Sequence, residues 1–253
     1  MSPALFVVPA AVYLAGVVAV QRRGGWWPFV RTVCWVAGWA VAATAVTGPI
    51  AATAHHGATA HMAGHLLLGM LAPLLLALGA PVTLALRALP VRRARSVSRV
   101  LAGWPLRILT HPLTAAVLDA GGLWLLYTTD LHEAAASLPW LNVLVQVHIL
   151  GAGYLFTASI IGRDPAPHRP GRLARAAVLV AFLAAHSILA KYLYAEVGAA
   201  AEVMYYGGDL IDLAVVVVFC HQWYRATGPD RRSRPAAVRE VRRWRLPEEM
   251  RDG

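Results

Sequence analysis

Seven stretches of this chain are long and apolar enough to cross a lipid bilayer, and they limit what the rest can fold into. They run Pro3–Val20, Val30–Ile50, His61–Leu86, Leu106–Thr129, Trp140–Ile161, Leu173–Tyr194 and Tyr205–Tyr224. A helix needs about 20 apolar residues to span the hydrocarbon, and a barrel strand only about 10. Inside a bilayer only helices and closed barrels satisfy their own backbone polar groups. The expected fold class is therefore all-α integral membrane, a bundle of seven transmembrane helices. Charged residues make up 14% of the chain, against about 25% in soluble domains, and the mean hydropathy is +0.55. The first run is short. The third is long and contains Pro73 and Pro81, which predicts kinks or tilt there. No basic segment precedes the first run, so it reads as a retained span rather than a cleaved leader.

The arginines give a direction. Arg22, Arg23 and Arg31 surround the first connection, and Arg87, Arg92, Arg93, Arg95, Arg99 and Arg107 the third. Arg163, Arg169, Arg172 and Arg175 bracket the fifth, and the remainder follow Arg225; Lys191 is the one basic residue elsewhere. The positive-inside rule then places the odd connections and the C-terminus in the cytoplasm and the N-terminus outside. This is the pattern of a multi-pass protein of the plasma (cytoplasmic) membrane. Residues 1–224 form the expected membrane domain and 225–253 a basic tail drawn to anionic membrane lipids. Between them, the arginine-rich stretch Pro90–Trp104 suits a short helix lying in the interface. The formal net charge of +10 is spread over these separate connections. No single docking surface for nucleic acid results. Cys34 and Cys220 lie in apolar runs outside any CxxC pattern, as small buried hydrophobes do.

The chemistry-bearing side chains gather at the outer end of the bundle. His61 and His65 are one helical turn apart at the start of the third run, so both imidazoles share a face. His148 follows the outer start of the fifth run by eight residues, and His186 precedes the outer end of the sixth by eight. Asp209 and Asp212 sit in the outer part of the seventh run, with Tyr205 on the face of Asp209; Lys191 is a turn beyond His186. His55 and His56 lie in the loop before the third run, and Asp119 falls near mid-membrane. Ionisable groups inside a membrane are costly and mark functional sites or buried polar networks. The expected metal ligands are His61, His65, His148 and His186, with His55, His56, Met62, Met204, Lys191, Tyr205, Asp209 and Asp212 as accessory groups. Imidazole and thioether favour copper, with zinc the weaker candidate. Neutral imidazoles ligate metals, so binding is expected to weaken as pH falls through the unperturbed histidine range near about 6.5. His132, between Asp130 and Glu133, reads as a solvated loop residue, while His111, His168 and His221 belong to the opposite side.

At these residues the chain resembles the seven-helix CtaG family of cytochrome c oxidase assembly factors. The third run reads His61-Met62-x-x-His65-Leu-Leu-Leu, then Ala72-Pro73 and Leu78-Gly79-Ala80-Pro81-Val82. His148 with Gly153-Tyr-Leu-Phe156 and Asp164-Pro165-x-Pro167, His186-Ser187, and Tyr205-Tyr206-Gly207-Gly208-Asp209 follow in family order. Glu202 and Met204 stand where the family pattern has an Asp-Gln pair. The resemblance spans roughly Gly48 to Trp223. It implies a non-enzymatic helper that acts with cytochrome c oxidase subunits, supplying or holding copper on the outer side. Two other readings stay open. A bis-histidine haem protein carrying electrons would need opposed imidazoles across a flat slot. A copper transporter would need polar stations through the inner half, where Asp119 and Thr114 stand alone. No HExxH, phosphate loop or nucleophile triad order supports hydrolytic chemistry.

Overall fold

A computed structural model describes residues 4–47, 57–166, 168–198 and 200–227. His55, His56 and nearly all of the basic tail lie outside these residues. Among the described residues every regular element is helical. In order they are α1 (Ala4–Arg22), α2 (Phe29–Thr47), α3 (Ala58–Leu66), α4 (Ala72–Gly79), α5 (Pro81–Ala88), α6 (Val91–Leu101) and α7 (Trp104–Leu109). They continue with α8 (Pro112–Thr128), α9 (Leu131–Ser137), α10 (Pro139–Ile161), α11 (Arg172–Val197) and α12 (Ala200–Thr227). A π-helical turn, Leu67–Leu71, joins α3 to α4. The chain divides into two units, Met1–Val215 and Val216–Gly253. The described part of the second is the last stretch of α12, where Phe219 and Trp223 pack edge to face.

Six of the expected runs are present as helices long and apolar enough to cross a membrane: Leu5–Arg22, Phe29–Thr47, Ala58–Ala88, Pro139–Ile161, Arg172–Ala195 and Glu202–Thr227. The fourth expected run, Leu106–Thr129, is divided. α7 ends at Leu109, and α8 starts at Pro112 after His111, whose Nδ1 accepts the Leu113 N–H. Pro112 cannot donate a backbone hydrogen bond and fits the first turn of a helix. What remains is α8, 17 residues long. The arginine-rich stretch forms α6 as expected, with Arg92, Arg93, Arg95 and Arg99 exposed. Cys34 and Cys220 carry no disulfide, but they are half-buried and exposed rather than buried.

The third run organises the first unit. It packs against α1, α2 and α10, and half of its span is buried. It is also broken twice, and proline is the reason each time. Pro73 has no N–H to give to a carbonyl of the preceding turn. Just before it the helix widens into the π turn, where the Ala72 N–H reaches back to the Leu67 carbonyl. The Gly69 oxygen, within that π turn, faces Gly153 of α10 so closely that a methyl group on Gly153 would overlap it. At the second break Ala80 adopts the left-handed region (φ 50°, ψ 58°) and the helix restarts at Pro81. Tyr13 of α1 donates its hydroxyl to the Gly79 carbonyl at 2.8 Å and accepts the Trp27 indole N–H at 3.1 Å.

The restarted helix is capped from a distant loop. Asp164 accepts the Val82 N–H at 3.2 Å, the Thr83 N–H at 2.7 Å and the Thr83 hydroxyl at 2.6 Å. An acidic side chain normally caps its own helix; here the loop after α10 does it for α5. Arg169 holds that loop by donating to the carbonyls of Gly162, Ala158 and Asp164. Two substitutions test this framework. Gly153→Ala should lower stability by about 1–3 kcal/mol through overpacking, whereas Gly151→Ala, with open space around it, should be near neutral. Asp164→Ala should cost about 1–2 kcal/mol, since it strips the acceptor from three partly buried donors. Thermal unfolding in detergent reads both; equal melting temperatures for the Gly153 and Gly151 variants would refute the close approach.

Candidate functional site

The histidine end of the bundle is built on α3. His61 and His65 share a face, as i and i+4 must; His65 is buried and His61 half-buried. Tyr127, near the end of α8, stands edge-on to both rings, with centroids 6.3 Å from His61 and 6.0 Å from His65. Its hydroxyl lies 3.3 Å from His61 Nε2. α9 brings His132 to the same rim, its ring 4.7 Å from His61 and 6.0 Å from Tyr127. His132 is exposed, as expected of a solvated residue, and also part of a ring cluster. The bend between α8 and α9 places it there, and no sequence periodicity reports a bend.

Deeper in, α11 carries His186, 4% exposed. Phe182 stacks against its ring at 6.1 Å, and Phe156 of α10 stacks on Phe182 at 3.9 Å. Its Nδ1 lies 3.4 Å from Asp212 Oδ2. Its Nε2 is buried and has no hydrogen-bond partner. A neutral imidazole that donates from Nδ1 to a carboxylate has the lone pair of its other nitrogen available to a ligand. The Gly208 backbone of α12 closes the other side: a methyl there would meet His186 Cε1 at 2.9 Å and Met70 Sδ at 3.8 Å. His186 lies within electrostatic reach of His65, and Asp119, also buried, within reach of Asp212.

His61, His65 and His186 therefore belong to one end of the unit, and His148 stands apart. It is exposed on α10, with Nε2 3.1 Å from the Leu118 carbonyl and packed over Gly122 of α8. Met62 and Met204 are buried with Leu123, Leu189 and Leu193, and Tyr127 packs against that cluster. Asp209 and Lys191 are exposed, and Tyr205 is half-buried against Tyr206. Among the described residues no group of three or more His, Cys, Asp or Glu side chains is close enough to hold one ion. The sequence reading missed Tyr127, His132 and Met70. Tyr127 had a signal, a polar-tipped ring at the histidine end of an apolar run; Met70 had none, since the π turn sets its direction.

The fold and these residues define a multi-pass helical membrane protein with a buried His–Asp pair under a cluster of imidazoles. The chain belongs to the cytochrome c oxidase caa3 assembly factor family (Caa3_CtaG), whose model matches residues 11–199. It is similar to uncharacterized proteins of Mycobacterium bovis and Mycobacterium tuberculosis, 36% identical over 205 residues, covering 76% of this chain and 31% of each relative. An uncharacterized protein of Mycobacterium leprae is 32% identical over 182 residues, 69% of this chain and 28% of its own. The chain thus spans about a third of the length of these relatives. No solved structure matches it.

The His–Asp pair makes a stability prediction. Asp212→Ala leaves both nitrogens of a buried imidazole without a protein partner and should cost about 1–3 kcal/mol. Replacing both groups, His186→Leu with Asp212→Leu, should cost less than Asp212→Ala alone, because no orphan remains. A double variant less stable than the Asp212→Ala single would show that the pair is not coupled in this way.

Proposed function

We propose that this protein assists the assembly of a haem–copper cytochrome c oxidase and carries copper as cargo at its histidine end. The observation that carries the reading is the buried Nε2 of His186, left without a partner while Asp212 orients the ring through Nδ1. Metal-binding histidines characteristically give their second nitrogen to a carboxylate, which fixes the tautomer and raises ligand basicity. The types of donor nearby support the reading. His65 lies on the same side, Met70 flanks the ring across Gly208, and His61 and His132 line the rim above. Imidazole and thioether without an acidic cage favour copper over magnesium or calcium. His65 and His186 would hold the cargo, with His61 and His132 receiving or releasing it; His148 is not needed. The partners in this reading are subunits of the oxidase.

The same proposal includes seven crossings of the plasma membrane, with the N-terminus outside and the C-terminus in the cytoplasm. α8, at 17 residues, is at the lower end of what spans a bilayer and supplies the seventh. The arginines of the odd connections then all face the cytoplasm.

Purified protein reconstituted with copper(I) should bind the metal, and His65→Ala with His186→Ala should abolish binding while leaving membrane insertion intact. Asp212→Asn should weaken affinity by about 10–100-fold, the usual effect of losing such a support. Wild-type copper content in the His65/His186 double variant would end the copper reading. For topology, a C-terminal green-fluorescent fusion should glow and a C-terminal alkaline phosphatase fusion should be inactive; the opposite pair of results overturns the orientation.

A further inference from the structure

We propose that the arginine end of the bundle holds a site for one anionic phospholipid, distinct from the general attraction of a basic protein for a charged membrane. α1 and α5 end side by side: Gly16 of α1 packs against Leu84 and Ala88 of α5. These are also the ends of two candidate membrane spans, Leu5–Arg22 and Ala58–Ala88. Where they end, a cleft of about 640 Å³ opens between the α1 end and the α5–α6 corner. Arg23, Arg87, Arg95 and Arg99 stand around it. Leu86, Leu89 and Val91 give it apolar walls. The cleft is therefore cationic and apolar at once, at the depth where a lipid changes from headgroup to acyl chain.

The four guanidiniums have capacity to spare. Among the described residues none of them meets a carboxylate within ion-pair distance. Their own bonds are long: Arg23 to the Arg87 carbonyl at 3.5 Å, Arg87 to the Trp26 carbonyl at 3.5 Å and Arg99 to the Ser96 hydroxyl at 3.3 Å. Arg87 also lies over the Trp27 ring at 5.9 Å, which fixes its direction without consuming its donors. Guanidinium forks match phosphate oxygens in a bidentate way. Basic pockets at the ends of membrane helices recognise lipid headgroups by this chemistry. The exposed Trp26, Phe29 and Trp104 are aromatic side chains of the type that anchors a protein at headgroup level. A free phosphate would use the arginines but leave the apolar walls bare, so the ligand is a phosphodiester bearing acyl chains.

The test is native mass spectrometry of the full-length protein released from non-ionic detergent, titrated with phosphatidylglycerol, phosphatidylcholine or inorganic phosphate. One phosphatidylglycerol should be retained saturably, and phosphatidylcholine should not. Arg95→Gln with Arg99→Gln should weaken retention roughly 100-fold, about 3 kcal/mol at 1.4 kcal/mol per decade, because each change removes a charge-assisted hydrogen bond to the phosphate. Arg107→Gln with Arg163→Gln removes the same charge from exposed positions outside the cleft and should leave retention within about 3-fold of wild type. Equal losses in the two double variants would reduce the effect to bulk electrostatics and overturn the site. Competition by millimolar inorganic phosphate as strong as by the lipid would overturn the lipid assignment. If Arg95/Arg99 variants fail to fold, charge-preserving Arg95→Lys with Arg99→Lys serves instead: it keeps the field, loses the fork, and should still weaken retention.

Discussion

Within a bilayer, a backbone group released from a helix has no water to turn to, so each break in a buried helix must be satisfied by the protein itself. The Ala58–Ala88 stretch breaks twice, and much of the first unit is arranged around those two repairs. Gly153 lets α10 pack closely on the Gly69 carbonyl of the π turn. Tyr13 reaches across from α1 to the carbonyl before Ala80, and Asp164 comes back from the loop after α10 to the amides beyond Pro81. These contacts tie α1, α10 and a connecting loop to one helix. The polar repairs are concentrated at the break nearer the arginine end. The π turn, by contrast, lies between His65 and Pro73 and sets the direction in which Met70 points.

The two ends of the bundle are chemically opposite. One gathers imidazoles, a tyrosine and a buried His–Asp pair; the other gathers guanidiniums around an apolar cleft. In the copper role proposed above, the His–Asp pair supplies what a membrane site needs most, a ligand whose tautomer is settled before the cargo arrives. Burial makes that arrangement stringent. An imidazole that is 4% exposed cannot borrow a hydrogen bond from solvent, so its unpartnered nitrogen either binds something or remains a standing cost.

The family match spans residues 11–199. It includes both breaks, their braces, His61, His65 and His186, but ends before Gly208 and Asp212. The support for His186 therefore comes from a helix that lies wholly outside the matched segment. The mycobacterial relatives extend well beyond this chain, which corresponds to about a third of each. The matched stretch is thus one part of those longer proteins.

What the sequence determined by itself was the class of fold and the type of chemistry. Runs of about 20 apolar residues leave a chain few structures in lipid, and two histidines at i and i+4 share a face in any helix. Pro73 and Pro81 announced the breaks, though not their repairs. Which faces meet was settled by packing alone. His148 turned away to α8, His132 swung in beside His61, and Asp212 rather than Asp209 was buried. The physical reason is that these helices are apolar nearly all round. No stripe of hydrophobicity sets their rotation, and glycines such as Gly153 and Gly208 do so by the close contacts they permit.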